Sequence, residues 1–228
     1  MDGVRGLRRR AVSPVGFFAE LPAGPGREPL PGREAWERPE GVLPGTVPYN
    51  LLLVRNERAA VSVGSIRAYP EGFEFTVHAR VRRTGPDAWP FDPLGHRPGA
   101  AAPGERLRLG LLFADGRRAE AHGGIGNPGA GPGEVHLMAQ GATAGGSGWD
   151  GDFWVHPLPP PGPLRFVVSW REQGVDEVSG ALDGTVIRTG ARQAVVLWPD
   201  AEPYPDPPGA RVRTFTLRLT SEDEPPAE

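Results

Sequence analysis

The placement of glycine and proline constrains this chain more than any other feature of its sequence. The 228 residues hold 33 Gly and 28 Pro, a combined share roughly twice the usual value of about 12%. Gly costs about 1 kcal/mol and Pro about 3 kcal/mol in a helix interior relative to Ala, so a bundle of helices is excluded. The same total falls in the range of low-complexity disorder, and position along the chain decides against that. About three-quarters of the breakers lie in six stretches, 22–48, 84–104, 123–133, 141–151, 157–163 and 199–209. They punctuate apolar segments rather than dilute them.

The segments between read as strands. Phe73, Phe75, Val77, Ala79 and Val81 alternate with Glu74, Thr76, His78, Arg80 and Arg82, a period of two that makes one apolar and one wet face. Leu107, Leu109, Leu111 and Phe113 repeat the pattern, and Asp115-Gly116 supplies a hairpin turn before a return strand over 117–122. Leu164, Phe166, Val168 and Trp170 alternate with Arg165, Val167, Ser169 and Arg171, and Phe215, Leu217 and Leu219 alternate near the C-terminus. Further strands are expected over 49–55, 60–69, 134–140, 152–156 and 194–198. Around Asp183-Gly184 two readings compete: a hairpin joining 177–182 to 185–189, or a short helix capped by Asp183 with Val186, Ile187, Ala191 and Ala194 at helical spacing. The helix fits the apolar set better. Nine or ten short strands with at most one helix near 183–194 predict an all-β fold, an antiparallel β-sandwich of jelly-roll or immunoglobulin-like type. The domain expectation is a flexible basic arm over 1–41, a sandwich over 42–219 and an acidic, disordered tail over 220–228.

Bulk chemistry narrows function mainly by exclusion. The net charge is −3, which gives no bulk attraction to nucleic acid or an anionic membrane. All 25 basic residues are Arg and none is Lys, so Schiff-base chemistry is excluded. With no Cys, disulfides, thiolate catalysis and Cys-held metal centres are excluded as well. Arg8-Arg9-Arg10 resembles the start of a twin-arginine signal, but the following stretch carries Ser13, Pro14, Gly16 and Glu20 instead of a continuous apolar region. A cytoplasmic location is expected, with no membrane-spanning segment.

Several short motifs invite chemistry and fit plainer roles better. Gly124-Ile-Gly126-Asn-Pro-Gly129 matches G-x-G-x-x-G, yet Pro128 and the glycines after it leave no helix to face a pyrophosphate. Ser147, in Gly145-Gly146-Ser147-Gly148, lacks the strand-to-helix setting of a nucleophile elbow and reads as a flexible loop. Asp150, Asp152 and His156, with His122 nearby in sequence, offer carboxylate and imidazole ligands for a divalent cation such as Ca²⁺. Asp and Gly together also simply build a turn before a strand. Asp87, Asp92, Asp200 and Asp206 offer acid–base carboxylates without a fixed separation.

The tryptophans divide by context. Trp154, Trp170 and Trp198 fall in expected strands and read as core. Trp36, Trp89 and Trp149 fall in Gly/Pro-rich stretches, where they are either lids over the sandwich ends or a platform for a ligand or partner. The run 157–163 is expected as polyproline II, a rigid connector crossing between sheets. The stretch from Trp154 to Trp170, W-x-x-P-L-P-P-P-G-P-L-x-F-V-V-x-W, together with 182–198 and 67–75, resembles segments of hypothetical proteins of GC-rich bacteria. That resemblance implies no activity or cofactor, and it favours the helix at Asp183.

The function these observations favour is a non-catalytic binding or assembly module using Trp36, Trp89 and Trp149 toward a protein or small ligand. One alternative is a carbohydrate-active or metal-assisted hydrolase at Asp150, Asp152 and His156. Another is a homo-oligomer formed through an edge strand such as 211–219.

Overall fold

The computed structural model of the protein describes residues 36–82, 93, 102, 104–121, 131 and 133–199. All of them belong to one compact unit, Arg33–Pro205. The strand expected around Phe215 lies outside the described residues.

The described part is all-β, with antiparallel pairing throughout and one α-helix. Twelve strands are present among these residues, more than the nine or ten expected, because several are only two or three residues long. The larger sheet is built on β4 (Ala59–Ala68), β5 (Phe73–Val81), β9 (Gly148–His156) and β8 (His136–Gly145), hydrogen-bonded in that order. Its far side is shared by β2 (Gly45–Val47) and β3 (Leu51–Arg55), which pair with successive halves of β4. The smaller sheet runs β11 (Val175–Asp183), β10 (Pro163–Trp170), β6 (Arg108–Leu112), β7 (Arg118–Ala121). A separate ribbon joins β1 (Val42–Leu43) to β12 (Val195–Val196).

The two main sheets share one core in a sandwich-like arrangement. Phe73, Phe75, Val77 and Ala79 from β5 join Leu109 and Leu111 from β6 and Leu164, Phe166 and Val168 from β10 in a single buried cluster. The Phe75 and Phe166 rings meet edge to face at 5.0 Å. These are the residues whose alternation marks the strands, since every second side chain must leave water for the segment to be stable.

Turn chemistry behaves as the sequence predicts in three places. Gly116 takes φ +86 between β6 and β7, with Asp115 Oδ1 accepting from the Arg117 amide at 3.1 Å. The run 157–163 carries the chain from β9 in one sheet to β10 in the other. Asp183 ends β11 and caps α1 (Gly184–Ala191), accepting from the Thr185 amide at 2.8 Å, so the hairpin alternative is replaced by strand then helix. Ile187 and Ala191 bury that helix, and Gly190 lets it approach β2 closely: a Cβ there would stand 2.7 Å from Val47 Cγ2.

Two expectations need correction. The stretch 141–151 is not a loop. β8 runs through it to Gly145, Gly146-Ser147 forms a two-residue turn with Gly146 at φ +56, and β9 starts at Gly148. Positive φ at the first central residue matches the turn type whose twist suits a hairpin. Trp198 is not core: it follows the short β12 and is 65% exposed.

Candidate functional site

The outward face of the larger sheet carries the polar residues of β5 and β9. Register sets Ser62, His78, Asp150 and Thr143 in one cross-strand line, and Gly64, Thr76, Asp152 and Gly141 in the next. Directly opposed side chains lie about 5 Å apart at Cβ, so bonds form along these lines. His78 Nδ1 lies 2.7 Å from Asp150 Oδ1, and Arg80 reaches Asp150 Oδ2 at 3.0 Å. Thr76 Oγ1 donates to Asp152 Oδ1 at 2.6 Å. Burial works against the Asp150 charge, but the hydrogen bonds from His78 and Arg80 outweigh it and hold the carboxyl below its ordinary range. A carboxylate bonded to one imidazole nitrogen orients the ring and turns the other nitrogen outward. Here that nitrogen, Nε2, lies over Gly64, where a Cβ would stand 3.4 Å from it.

The three residues expected to bind a metal do not converge. Asp150, Asp152 and His156 share a face of β9, but six strand residues span about 20 Å between the first and the last. Asp150 and Asp152 are occupied by His78, Arg80 and Thr76, whereas His156 stands opposite His136, ring centroids 5.9 Å apart. Among the described residues no group of three or more His, Asp or Glu is placed to hold a metal ion. The imidazole that meets Asp150 is His78, which the alternation places on the wet face of β5 but which lies 72 residues away in sequence. His122, Asp87, Asp92, Asp200 and Asp206 lie outside the described residues, as does Trp89.

The tryptophans are also redistributed. Trp149 is a core residue, 5% exposed, not a loop platform. It shares the inward parity of Phe153 and Val155, and its indole lies back over Gly151, where a Cβ would overlap it. Trp154 points outward yet is buried, because residues 36–38 cross above it. The Trp36 carbonyl accepts from Trp154 Nε1 at 2.8 Å, and the Trp36 ring stacks parallel on His136 at 5.4 Å. Trp36 thus acts as a lid over the sheet.

Glu74 fastens the same segment. Its side chain is 5% exposed and accepts from Tyr69 Oη at 3.0 Å and Arg38 at 3.1 Å, with Arg67 as a third partner. Burial first, then the Glu74 charge, pushes the Tyr69 hydroxyl above its ordinary range, so it stays a donor. Alternation marks Glu74 as a solvent-facing residue of β5. The covering segment is what buries it.

The ribbon is the reverse case, apolar residues left in water. Leu43 and Val195 pair across it, as do Val42 and Val196, and the Leu197 amide donates to the Gly41 carbonyl at 2.9 Å. Leu43 (57%), Val195 (52%), Val196 (50%), Leu197 (46%) and Trp198 (65%) are all exposed. The sequence signal was present as the run 195–198, but an apolar run reads as core until its partner strand is known to be a two-residue ribbon.

Compared with models of protein families, with curated proteins and with solved structures, the chain finds no match. No helix among the described residues is long and apolar enough to cross a membrane.

Proposed function

We propose that the chain is a non-catalytic binding or assembly module that holds a protein partner on the β1–β12 ribbon. The observation that supports this is the grouping of Leu43, Val195, Val196, Leu197 and Trp198, all close to or above half exposed. A contiguous apolar patch costs solubility unless something covers it, and Trp is the side chain that most often anchors a protein interface. The anchor in this reading is Trp198, in place of the Trp36, Trp89 and Trp149 set. The cytoplasmic setting expected from the sequence is kept. The carboxylate-held imidazole of His78 is the one observation favouring the hydrolase alternative.

The test uses the full chain and a Trp198→Ala/Leu197→Ser double variant. Light scattering across a concentration series reads self-association against the 24.4 kDa protomer. In parallel, a partner retained from the native host is purified and titrated against both proteins. The expected result is an assembly or complex that the double variant weakens at least tenfold with its unfolding midpoint unchanged. A wild type that stays monomeric, with every interaction equal in the variant, would sink the reading.

A further inference from the structure

Glycine inside a strand gives up conformational entropy and cross-strand packing, so each one calls for a reason. At Gly45, Gly64, Gly151 and Gly180 the reason is packing: a Cβ would run into the Gly190 carbonyl, Asn50, Trp149 or Leu53 respectively. Gly141 and Gly110 have no such reason, but Gly141 sits at a register shift in β8, whereas Gly110 lies in the middle of the regularly paired β6. The Gly110 backbone is not in the left-handed region, and an added Cβ would meet Ala119 O at 3.6 Å, Val167 Cβ at 3.8 Å and Val167 O at 4.0 Å, all ordinary distances.

A side chain at 110 would instead fill a groove. The outward face of the smaller sheet holds an open depression of about 580 Å³ around this residue, within the ~300–1,000 Å³ typical of small-molecule sites. Gly110, Leu112 and Val167 form a half-buried apolar floor, with Ser169 beside it. Arg108, Arg118, Glu120 and Glu177 form the walls. Arg108 bonds Glu120 at 2.9 Å, and the four wall charges cancel in sign. A free anion or cation therefore gains attraction from two walls and repulsion from the other two. A neutral ligand with many donors and acceptors and an apolar face suits both floor and walls.

We infer that the groove above Gly110 is a binding site for a neutral polyhydroxylated molecule, a saccharide, whose ring lies where a residue-110 side chain would otherwise stand. Its C–H face packs on Val167 and Leu112, and its hydroxyls bond the Arg and Glu walls and Ser169. The site is on a different sheet from the ribbon, so it stands apart from the proposed protein contact.

Isothermal titration of the full chain with cellohexaose, xylohexaose, maltohexaose and mannohexaose tests this, with inositol hexakisphosphate as an anionic probe. At least one neutral oligosaccharide is expected to bind. Gly110→Leu is expected to weaken that binding at least tenfold while keeping the wild-type unfolding midpoint. Arg118→Ala weakens it too and serves if the Leu variant does not fold. Trp198→Ala leaves it unchanged, which separates this site from the ribbon. Binding of none of the four oligosaccharides, binding of the phosphate compound alone, or undiminished binding by both Gly110→Leu and Arg118→Ala would overturn the inference.

Discussion

The two sheets bury their inward faces alike and treat their outward faces differently. On the larger sheet the outward face around Trp154 and Glu74 is closed by the chain itself. Trp36 and Arg38 cross over Trp154 and Glu74, and the space left by Gly64 is taken up by Asn50 and His78. On the smaller sheet the outward face is a groove with an unfilled glycine at its centre. The same residue type thus does opposite things. Where a neighbour occupies its missing side chain, glycine is a packing device. Where no described residue does, it keeps a surface open. The contrast matters because a strand-interior glycine is costly in both places, and only one of them recovers the cost through packing within the fold.

The largest test of glycine as a packing device is Gly45→Ala, on the inward face of β2. The new methyl would overlap the Gly190 carbonyl, which is backbone in a packed helix and cannot swing aside. Overpacking a well-filled site costs typically 1–3 kcal/mol, and about 3 kcal/mol is expected here by urea unfolding. A loss below about 1 kcal/mol would mean that α1 docks more loosely on β2 than described.

Next comes Glu74→Ala. It removes a buried acceptor from Tyr69, Arg38 and Arg67. Charge-assisted bonds contribute about 1.5–3 kcal/mol each when one partner is buried, but Arg38 and Arg67 are about half exposed and recover hydration. A net loss of about 2–3 kcal/mol is expected, discounted for that exposure. Proteolysis should then cut near residues 36–40 earlier than in the wild type. If the cleavage pattern did not change, Glu74 would not be what fastens the covering segment.

A smaller effect comes from acid. Asp150 is held below its ordinary range by His78 and Arg80 against the opposing effect of burial, Asp183 by the Thr185 and Gly162 amides, and Asp115 by Arg117. A carboxyl with a lowered folded value binds fewer protons folded than unfolded, so its contribution is complete above the ordinary value of about 3.9 and is lost as pH falls through the folded value. The urea midpoint should hold from neutral pH to about 5 and fall below about 4. Asp150→Asn should flatten the fall, and an unchanged slope would mean that Asp150 contributes nothing to it.

Much of the fold is legible in the sequence because its signals are local. Alternation from Phe73 to Val81 and from Leu164 to Trp170, the Asp115-Gly116 turn and the Asp183 cap each depend on residues within a few positions. The hairpin at 145–148 is not legible in this way. Its arms at 141–145 are Gly, Ala and Thr, too small to show an alternation, and they pair because β9 offers a ladder. The candidate site is legible only by halves. Asp150 stands out by residue type, but its partner His78 is chosen by the register of β5 on β9. Trp149 and Trp198 exchange expected environments for the same reason: what covers a strand is decided by segments far away in sequence.

The central contrast is between Gly64, whose missing side chain a neighbour fills, and Gly110, whose place stays open. It is tested most directly by thermal unfolding of two matched variants, Gly64→Ala and Gly110→Ala, both at outward-facing strand positions. Gly64→Ala should lower the midpoint modestly, because its methyl would push the exposed Asn50 side chain aside and crowd His78 Nε2. Gly110→Ala should hold or raise it, since relief of glycine's entropy cost is worth about 0.5–1 kcal/mol where the new methyl has room. A Gly110→Ala midpoint that falls as far as that of Gly64→Ala would contradict the account.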